Sequence, residues 1–396
     1  MVKISGVGCC LLDYLYSNID FKGPQFSKYL SAEEGDGGLS PGRLVFTEEL
    51  EKYTSRPIKE ILFDLVSDRE PDKYNLGGPA IVAIIHAAQL LNETADVGFY
   101  VAVGVDTIGE RILEIIDETP VKLAGAKMVK TPSPFTYVLS DPNYNEGHGE
   151  RTFINNIGAA KDFLPEDLDE DFFQSDIVVF GGTAIVPSIH DNLLELLIRA
   201  KQSGAVTVVN TVFDFRSEKS APGIKWPLGS TDETYKHIDI LIMDMEEAMK
   251  LSGQPNLDKA CAFFTESGVD SFIITNGALP VTLFSRGNLF KSQPVISLPV
   301  SEAVLNELKH NTGLAGDTTG CGDNFTGGII ASAAWQIAKK GDEALDLVEA
   351  CSWGIASGGF TCFIMGGTYI EFKPGEKLNL VKPYYELYQD QLNNIS

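Results

Sequence analysis

Apolar runs recur along the chain at residues 2–12, 97–103, 135–139, 177–180, 206–209, 238–242 and 272–275. Between them lie stretches whose apolar positions repeat with helical spacing, among them 81–91, 189–201 and 258–266. Short, continuously apolar strands need cover on both faces, and intervening helices provide it. The alternation therefore predicts an α/β protein with a mostly parallel central sheet between two helical layers. Residues 15–21 and 152–155 are more amphipathic and suit a small separate sheet. Residues 22–74 break the alternation. They are charged, are punctuated by Glu33-Glu34-Gly35-Asp36-Gly37-Gly38 and Ser40-Pro41-Gly42, and carry one amphipathic helical pattern at 58–66. No internal repeat is detectable.

Composition narrows the class. The 396 residues, 44% of them hydrophobic, suffice for one large core with a smaller unit attached. No run of about 18 apolar residues occurs, and the first ten residues lack the basic start and cleavage site of a signal peptide, so a cytoplasmic location is expected. A net charge of −24 opposes nonspecific binding to nucleic acid or to an anionic membrane. The six cysteines (9, 10, 261, 321, 351 and 362) show no C-x-x-C spacing, and two are adjacent in what reads as a buried strand. Neither a zinc site nor a disulfide framework is expected.

Two familiar chemistries fail locally. Gly38-Leu39-Ser40-Pro41-Gly42 fits the G-x-S-x-G pattern, but Pro41 has no N–H for an oxyanion hole and no apolar strand leads in. The chain contains no Gly-Lys dipeptide, so it has no Walker A loop, and neither H-E-x-x-H nor H-R-D occurs. Phosphate chemistry must rest elsewhere. The candidate is Gly316-Asp317-Thr318-Thr319-Gly320-Cys321-Gly322-Asp323-Asn324-Phe325-Thr326-Gly327-Gly328, a glycine-rich turn opening an apolar helix. The N–H groups of Gly320, Cys321 and Gly322 would stand at a helix N-terminus without carbonyl partners and can hold an anion. Asp323 lies within reach as a proton acceptor, although an aspartate there can equally serve as a helix cap.

The segment resembles the second signature of the ribokinase-like (PfkB) carbohydrate kinase family, and the resemblance extends over residues 1–22 and about 75–370. It implies a three-layer αβα ribokinase-like fold as one kinase domain. A small β-sheet lid would come from about 13–22, 104–125 and 135–158, with residues 23–74 as an insertion. Carried over position by position, it makes Asp323 the catalytic base and Gly320, Cys321 and Gly322 the anion hole, with Cys321 where alanine is usual. Asn75-Leu76-Gly77-Gly78-Pro79-Ala80 resembles the family's glycine pair, which places Gly77 and Gly78 against the substrate. Val82 stands where many members carry an asparagine. Asp13 matches an aspartate that binds two substrate hydroxyls, and Glu150 or Arg151 would reach the substrate from the lid.

On the nucleotide side, Asp244-Met245-Glu246-Glu247 resembles the N-x-x-E motif that organises Mg²⁺ and the ATP phosphates, with Asp244 in place of asparagine and Glu247 toward the metal. Glu246-Glu247 also read as the acidic first turn of a helix over 246–251. Thr275 and Gly277 resemble a nucleotide-side T-x-G, and Ser352 lies in a small-residue helix that would let a purine come close. Asp317 and the Thr319 carbonyl match positions that bind a monovalent cation such as K⁺. The implied activity is ATP-dependent phosphorylation of a primary hydroxyl of a small-molecule sugar, with a homodimer formed through the lid. A nucleoside kinase and a catalytically silent binding relative stand as alternatives.

Overall fold

The computed structural model describes residues 1–33, 35–144, 149–311, 318–340 and 343–395. Fourteen strands are defined among them. In chain order the first eight are β1 (Val2–Gly8), β2 (Leu11–Tyr16), β3 (Leu44–Phe46), β4 (Lys73–Gly77), β5 (Ala95–Gly104), β6 (Lys122–Val129), β7 (Phe135–Asp141) and β8 (Glu150–Asn156). The remaining six are β9 (Ile177–Gly181), β10 (Val206–Asn210), β11 (Ile240–Asp244), β12 (Ser271–Asn276), β13 (Leu279–Ser285) and β14 (Gln293–Leu298). They form a nine-stranded sheet in the order β14-β13-β12-β11-β10-β9-β1-β5-β6 and a five-stranded sheet in the order β3-β8-β7-β2-β4.

The large sheet is parallel from β6 to β12, and β13 and β14 extend it antiparallel. Two apolar clusters flank it, as the continuous apolar runs require. One cluster holds the helix Pro79–Leu91, buried from Ala80 to Leu91, against the helices Cys321–Lys340 and Leu347–Thr361. The last two approach closely because a Cβ on Gly328 would sit 2.6 Å from the Trp353 carbonyl oxygen. This layer fixes where the helix that starts at Cys321 points.

Three expectations need correction. The apolar run at 2–12 is two strands in different sheets: the chain leaves β1 at Gly8 and enters the small sheet at Leu11, with Cys9 and Cys10 as a buried two-residue link. Residues 104–125 do not join the lid. They close β5, form the helix Thr107–Asp117 and begin β6, which pairs parallel with β5 at the edge of the large sheet. The buried Ile112, Ile115 and Ile116 hold that helix against the sheet, as a parallel crossover demands. Residues 23–74, expected as a polar insertion, supply β3 and the first two residues of β4 to the small sheet. Their Phe26, Tyr29, Leu39, Leu50 and Ile61 pack with Phe21, Leu139 and Ile154 into a third apolar cluster. The helix expected at 58–66 is present as Ile58–Val66.

Candidate active site

The helix Cys321–Lys340 is entered through Gly320, whose φ is +74° and whose Cβ, if present, would lie 2.5 Å from Gly367 Cα. The left-handed φ disfavours a side chain and the approach of the Gly367 backbone leaves no room for one. The Cys321 N–H donates to the Thr318 carbonyl at 3.3 Å, closing the turn on itself. Of the expected anion-binding donors, Gly320 and Gly322 keep N–H groups without a carbonyl partner among the described residues, and Cys321 does not. Asp323 sits in the first helical turn, and its carboxylate takes no hydrogen bond among the described residues. A capping aspartate would accept one from a neighbouring N–H, so the geometry does not support the cap reading. Burial alone pushes this carboxyl up to about 7.

Across the crevice, the small sheet presents a row of buried polar side chains. Asn155 of β8 is paired with Thr136 of β7, Thr136 with Asp13 of β2, and Asp13 with Asn75 of β4. Residues directly opposite one another share a face, so all four look the same way. Asn155 donates to the Thr136 hydroxyl at 2.7 Å, and its own Oδ1 is buried without a partner among the described residues. A Cβ on Gly77 would fall 2.2 Å from Asp13 Oδ2, and one on Gly78 would fall 2.5 Å from the Cys9 carbonyl oxygen. The glycine pair therefore lets β4 close on Asp13. The Cys9 thiol is pushed up by burial and then by the charges of Cys10, Asp13 and Asp323.

The acidic pair follows on the next strands. Asp244 ends β11 and caps the helix Met245–Ser252: its Oδ1 accepts from the Glu247 N–H at 2.8 Å, and Glu247 Oε2 accepts from the Asp244 N–H at 3.0 Å. The aspartate in place of asparagine thus completes a reciprocal capping box. Glu247 also accepts from the Thr211 hydroxyl at 2.6 Å. Burial, then the charges of Asp244 and Asp323, push its carboxyl up to about 8, and burial pushes Asp244 upward too. Thr275 lies beside Asp244 in register, and Gly277, with φ of +55°, has open space where a side chain would be. Among the described residues no three His, Cys, Asp or Glu side chains converge as a metal cage.

Two candidates are turned away from the crevice. Glu150 and Arg151 are neighbours on β8, so they face opposite sides. Glu150 lies against Gly42 on the outer side, whereas Arg151 shares the face of Asn155, donates to the Thr318 hydroxyl at 2.6 Å and also bonds the Thr319 hydroxyl. Ser352 is fully buried in its helix and donates to the Val348 carbonyl at 2.8 Å, so its hydroxyl proton is engaged and its side chain is closed to a nucleotide. Asp317 lies outside the described residues. Val82, in place of the asparagine, packs its methyls near Gly367 as part of the core.

Thr136, Asn155, Asn324 and Lys377 also border the site and were not singled out from the sequence. The alternation of polar residues on β7 and β8 is a signal for the first two; nothing local marks the others. Cys321 Sγ is 3.5 Å from Cys362 Sγ and is half-buried. It lies at the start of the helix beside the anion-binding turn, so alkylation of Cys321 is expected to abolish activity and to be slowed by bound ATP. Mass spectrometry of partly alkylated protein checks this, and labelling of Cys321 indifferent to ATP would contradict it.

Residues 60–370 match the sequence model of the pfkB family of carbohydrate kinases. Among solved structures, the chain is similar to a probable sugar kinase from Rhizobium etli CFN 42, with a TM-score of 0.70 and 16% identity over 98% of this chain and 99% of that one. It is similar to adenosine kinase from Schistosoma mansoni in complex with 2-fluoroadenosine, with a TM-score of 0.68 and 15% identity over 92% and 96% of the two chains. Ribokinase from Thermotoga maritima matches with a TM-score of 0.62 and 17% identity over 98% and 100%. At these identities the likeness is one of fold, which is ribokinase-like: a large sheet with helices on both sides and a second, smaller sheet.

Proposed function

The chain belongs to the pfkB family of carbohydrate kinases, and from that premise we propose that it transfers the γ-phosphoryl group of ATP to a primary hydroxyl of a sugar. The observation that carries this reading is the Asp323 carboxyl, free of hydrogen bonds, held near 7, and set in the same turn as the Gly320 and Gly322 N–H groups. The acceptor oxygen attacks the γ-phosphorus, the bond to the ADP oxygen breaks, and the acceptor proton passes to Asp323. The two N–H groups stabilise charge on the transferred group, and Asp13 with the Gly77–Gly78 turn orients the acceptor.

Arg151 is the lid residue suited to the phosphates, since it already reaches the hydroxyls next to the anion-binding turn. Mg²⁺ fits beside Asp244 and Glu247. Both carboxyls are pushed toward protonation by burial, a strain that a nearby cation relieves, and Mg²⁺ retains enough water to be held through its hydration shell. When bound it neutralises phosphate charge. Thr275 and Gly277 would border the nucleotide. A monovalent cation such as K⁺ would rest on the Thr319 carbonyl and on Asp317, which lies outside the described residues.

One observation favours a nucleoside acceptor as the second reading. The polar row ends at Phe46, in register with Asn155, and the Phe46 ring meets Phe215 edge-on at 5.6 Å, an apolar wall suited to a base. A panel of sugars and nucleosides with ATP consumption as the readout decides. Turnover with a sugar is expected; turnover with nucleosides alone selects the second reading. ATP binding with no turnover on any acceptor would leave the chain a binding relative.

A further inference from the structure

Behind the anion-binding turn lies a lysine that the proposed chemistry does not use. Lys377, near the start of the helix Glu376–Ile395, is fully buried, and among the described residues no carboxylate comes within ion-pair distance of it. Its ammonium lies 5.2 Å from the centre of the Phe360 ring and 5.0 Å from that of Tyr369, and it donates to Asn324 Oδ1 at 3.5 Å. Burying a cation with so little compensation is costly, and a lysine so placed calls for a reason beyond packing.

Asn324 supplies that reason. Its Nδ2 donates to the Gly320 carbonyl and to the Gly367 carbonyl, both at 2.8 Å. Two carbonyls can only receive from the amide nitrogen, and an ammonium can only give to the amide oxygen, so the three contacts fix the carboxamide in one orientation. The Gly320 carbonyl also accepts from the Asn324 backbone N–H at 2.8 Å. One side chain thus fastens the left-handed Gly320 to the 366–367 loop. That loop is anchored in turn to the substrate side: Thr368 donates to the Leu76 carbonyl at 2.8 Å, Asn75 donates to the Thr368 carbonyl at 3.1 Å, and Lys73 donates to the Met365 carbonyl at 2.8 Å.

We propose that Lys377 and Asn324 are a positioning pair that holds the Gly320 turn in register with the glycine pair for phosphoryl transfer, an inference that rests on the kinase reading above. Neither side chain touches substrate. Lys377 orients Asn324, and Asn324 holds the Gly320 carbonyl, which fixes the turn that carries the Gly320 and Gly322 N–H groups on either side of the closed Thr318–Cys321 bond.

The ionisable groups facing Lys377 are Glu371, Lys73 and Cys321, with His86 from the helix Pro79–Leu91, which burial and Lys377 together hold neutral. Burial holds the lysine itself down to about 7, opposed by Glu371. An amine whose folded value is lowered weakens the fold most at low pH, where the unfolded chain binds the extra proton. Its removal should therefore stabilise the protein more at pH 6 than at pH 9.

Lys377→Met and Asn324→Ser test the pair. Each is expected to lower kcat by about 10–100-fold with the ATP KM changed less than about threefold, the signature of an interaction that matters in the transition state. The double variant should be no slower than the worse single one, because both act through one carboxamide. Lys377→Met should also melt no lower than the parent protein at pH 6, whereas a lysine that merely supports the fold would give a lower melting temperature. Amide hydrogen exchange in the 318–326 segment should quicken in both variants while the rest of the helix stays protected. If Lys377→Met does not fold, the simple positioning role is overturned for the lysine, and Asn324→Ser then decides for the asparagine. An active parent with unchanged kcat and unchanged exchange in the variants overturns the proposal. A parent that consumes no ATP with any acceptor instead removes the kinase reading, and the exchange measurement then decides the positioning on its own.

Discussion

Asp323→Asn is expected to leave folding and ATP binding intact and to lower kcat by about 10²–10⁴, the usual worth of a positioned general base. With the carboxyl held at about 7, kcat/KM of the parent should rise with pH through that value and level off above it, and the asparagine variant should lose this limb. Stability should move the other way. A carboxyl whose folded value is raised binds its proton more tightly in the folded state, so the contribution is present below the ordinary carboxylate range and is lost as pH climbs through about 7. The asparagine variant should therefore gain more melting temperature over the parent at pH 8 than at pH 4. Near-normal turnover in the variant would remove Asp323 from the mechanism, and a gain independent of pH would remove the buried, raised carboxyl.

Asp13→Ala should reduce kcat/KM for the acceptor by about 10²-fold or more, through both kcat and KM, and leave the ATP KM nearly unchanged. Asp13 stands in the polar row on the small sheet, paired with Thr136 and Asn75, whereas Asp244 and Glu247 stand at the end of β11 in the large sheet and in the helix that follows it. Lost orientation costs rate as well as affinity, which is why both acceptor constants should move. Steady-state kinetics with each substrate varied in turn check the assignment. A change confined to the ATP KM would show that the acceptor and nucleotide ends have been exchanged.

The two aspartates were legible in the chain for different reasons. Asp323 belongs to a contiguous turn, where each step from Gly320 to Asp323 is set by local backbone geometry, so residue types and spacing carry the chemistry with them. Asp13 follows the first apolar run closely enough that its place at the C-terminal end of that run could be read, although its own strand belongs to the small sheet. The alternation of apolar strands and helices likewise defined the layers, because continuously apolar strands have few stable solutions other than a covered parallel sheet.

Choices between neighbours waited for the tertiary structure. Glu150 and Arg151 are equally plausible in sequence, and the pairing of β8 with β7 decided between them: a shift of one residue in register exchanges the faces of every side chain. Ser352 lies on a helix of small residues, but which side of that helix meets the neighbouring helix Cys321–Lys340 is a matter of packing, and packing buried it. The free donors of the anion turn fell from three to two because Thr318 closes on Cys321, a bond that spacing alone does not specify. Lys377 is 53 residues from the Asn324 it touches, and no local pattern can announce a contact made across that much chain. The sequence by itself determined the covered sheet and the chemistry of one turn, since both follow from short-range periodicity and backbone geometry; the orientation of the residues around that turn was decided only by long-range register and close packing.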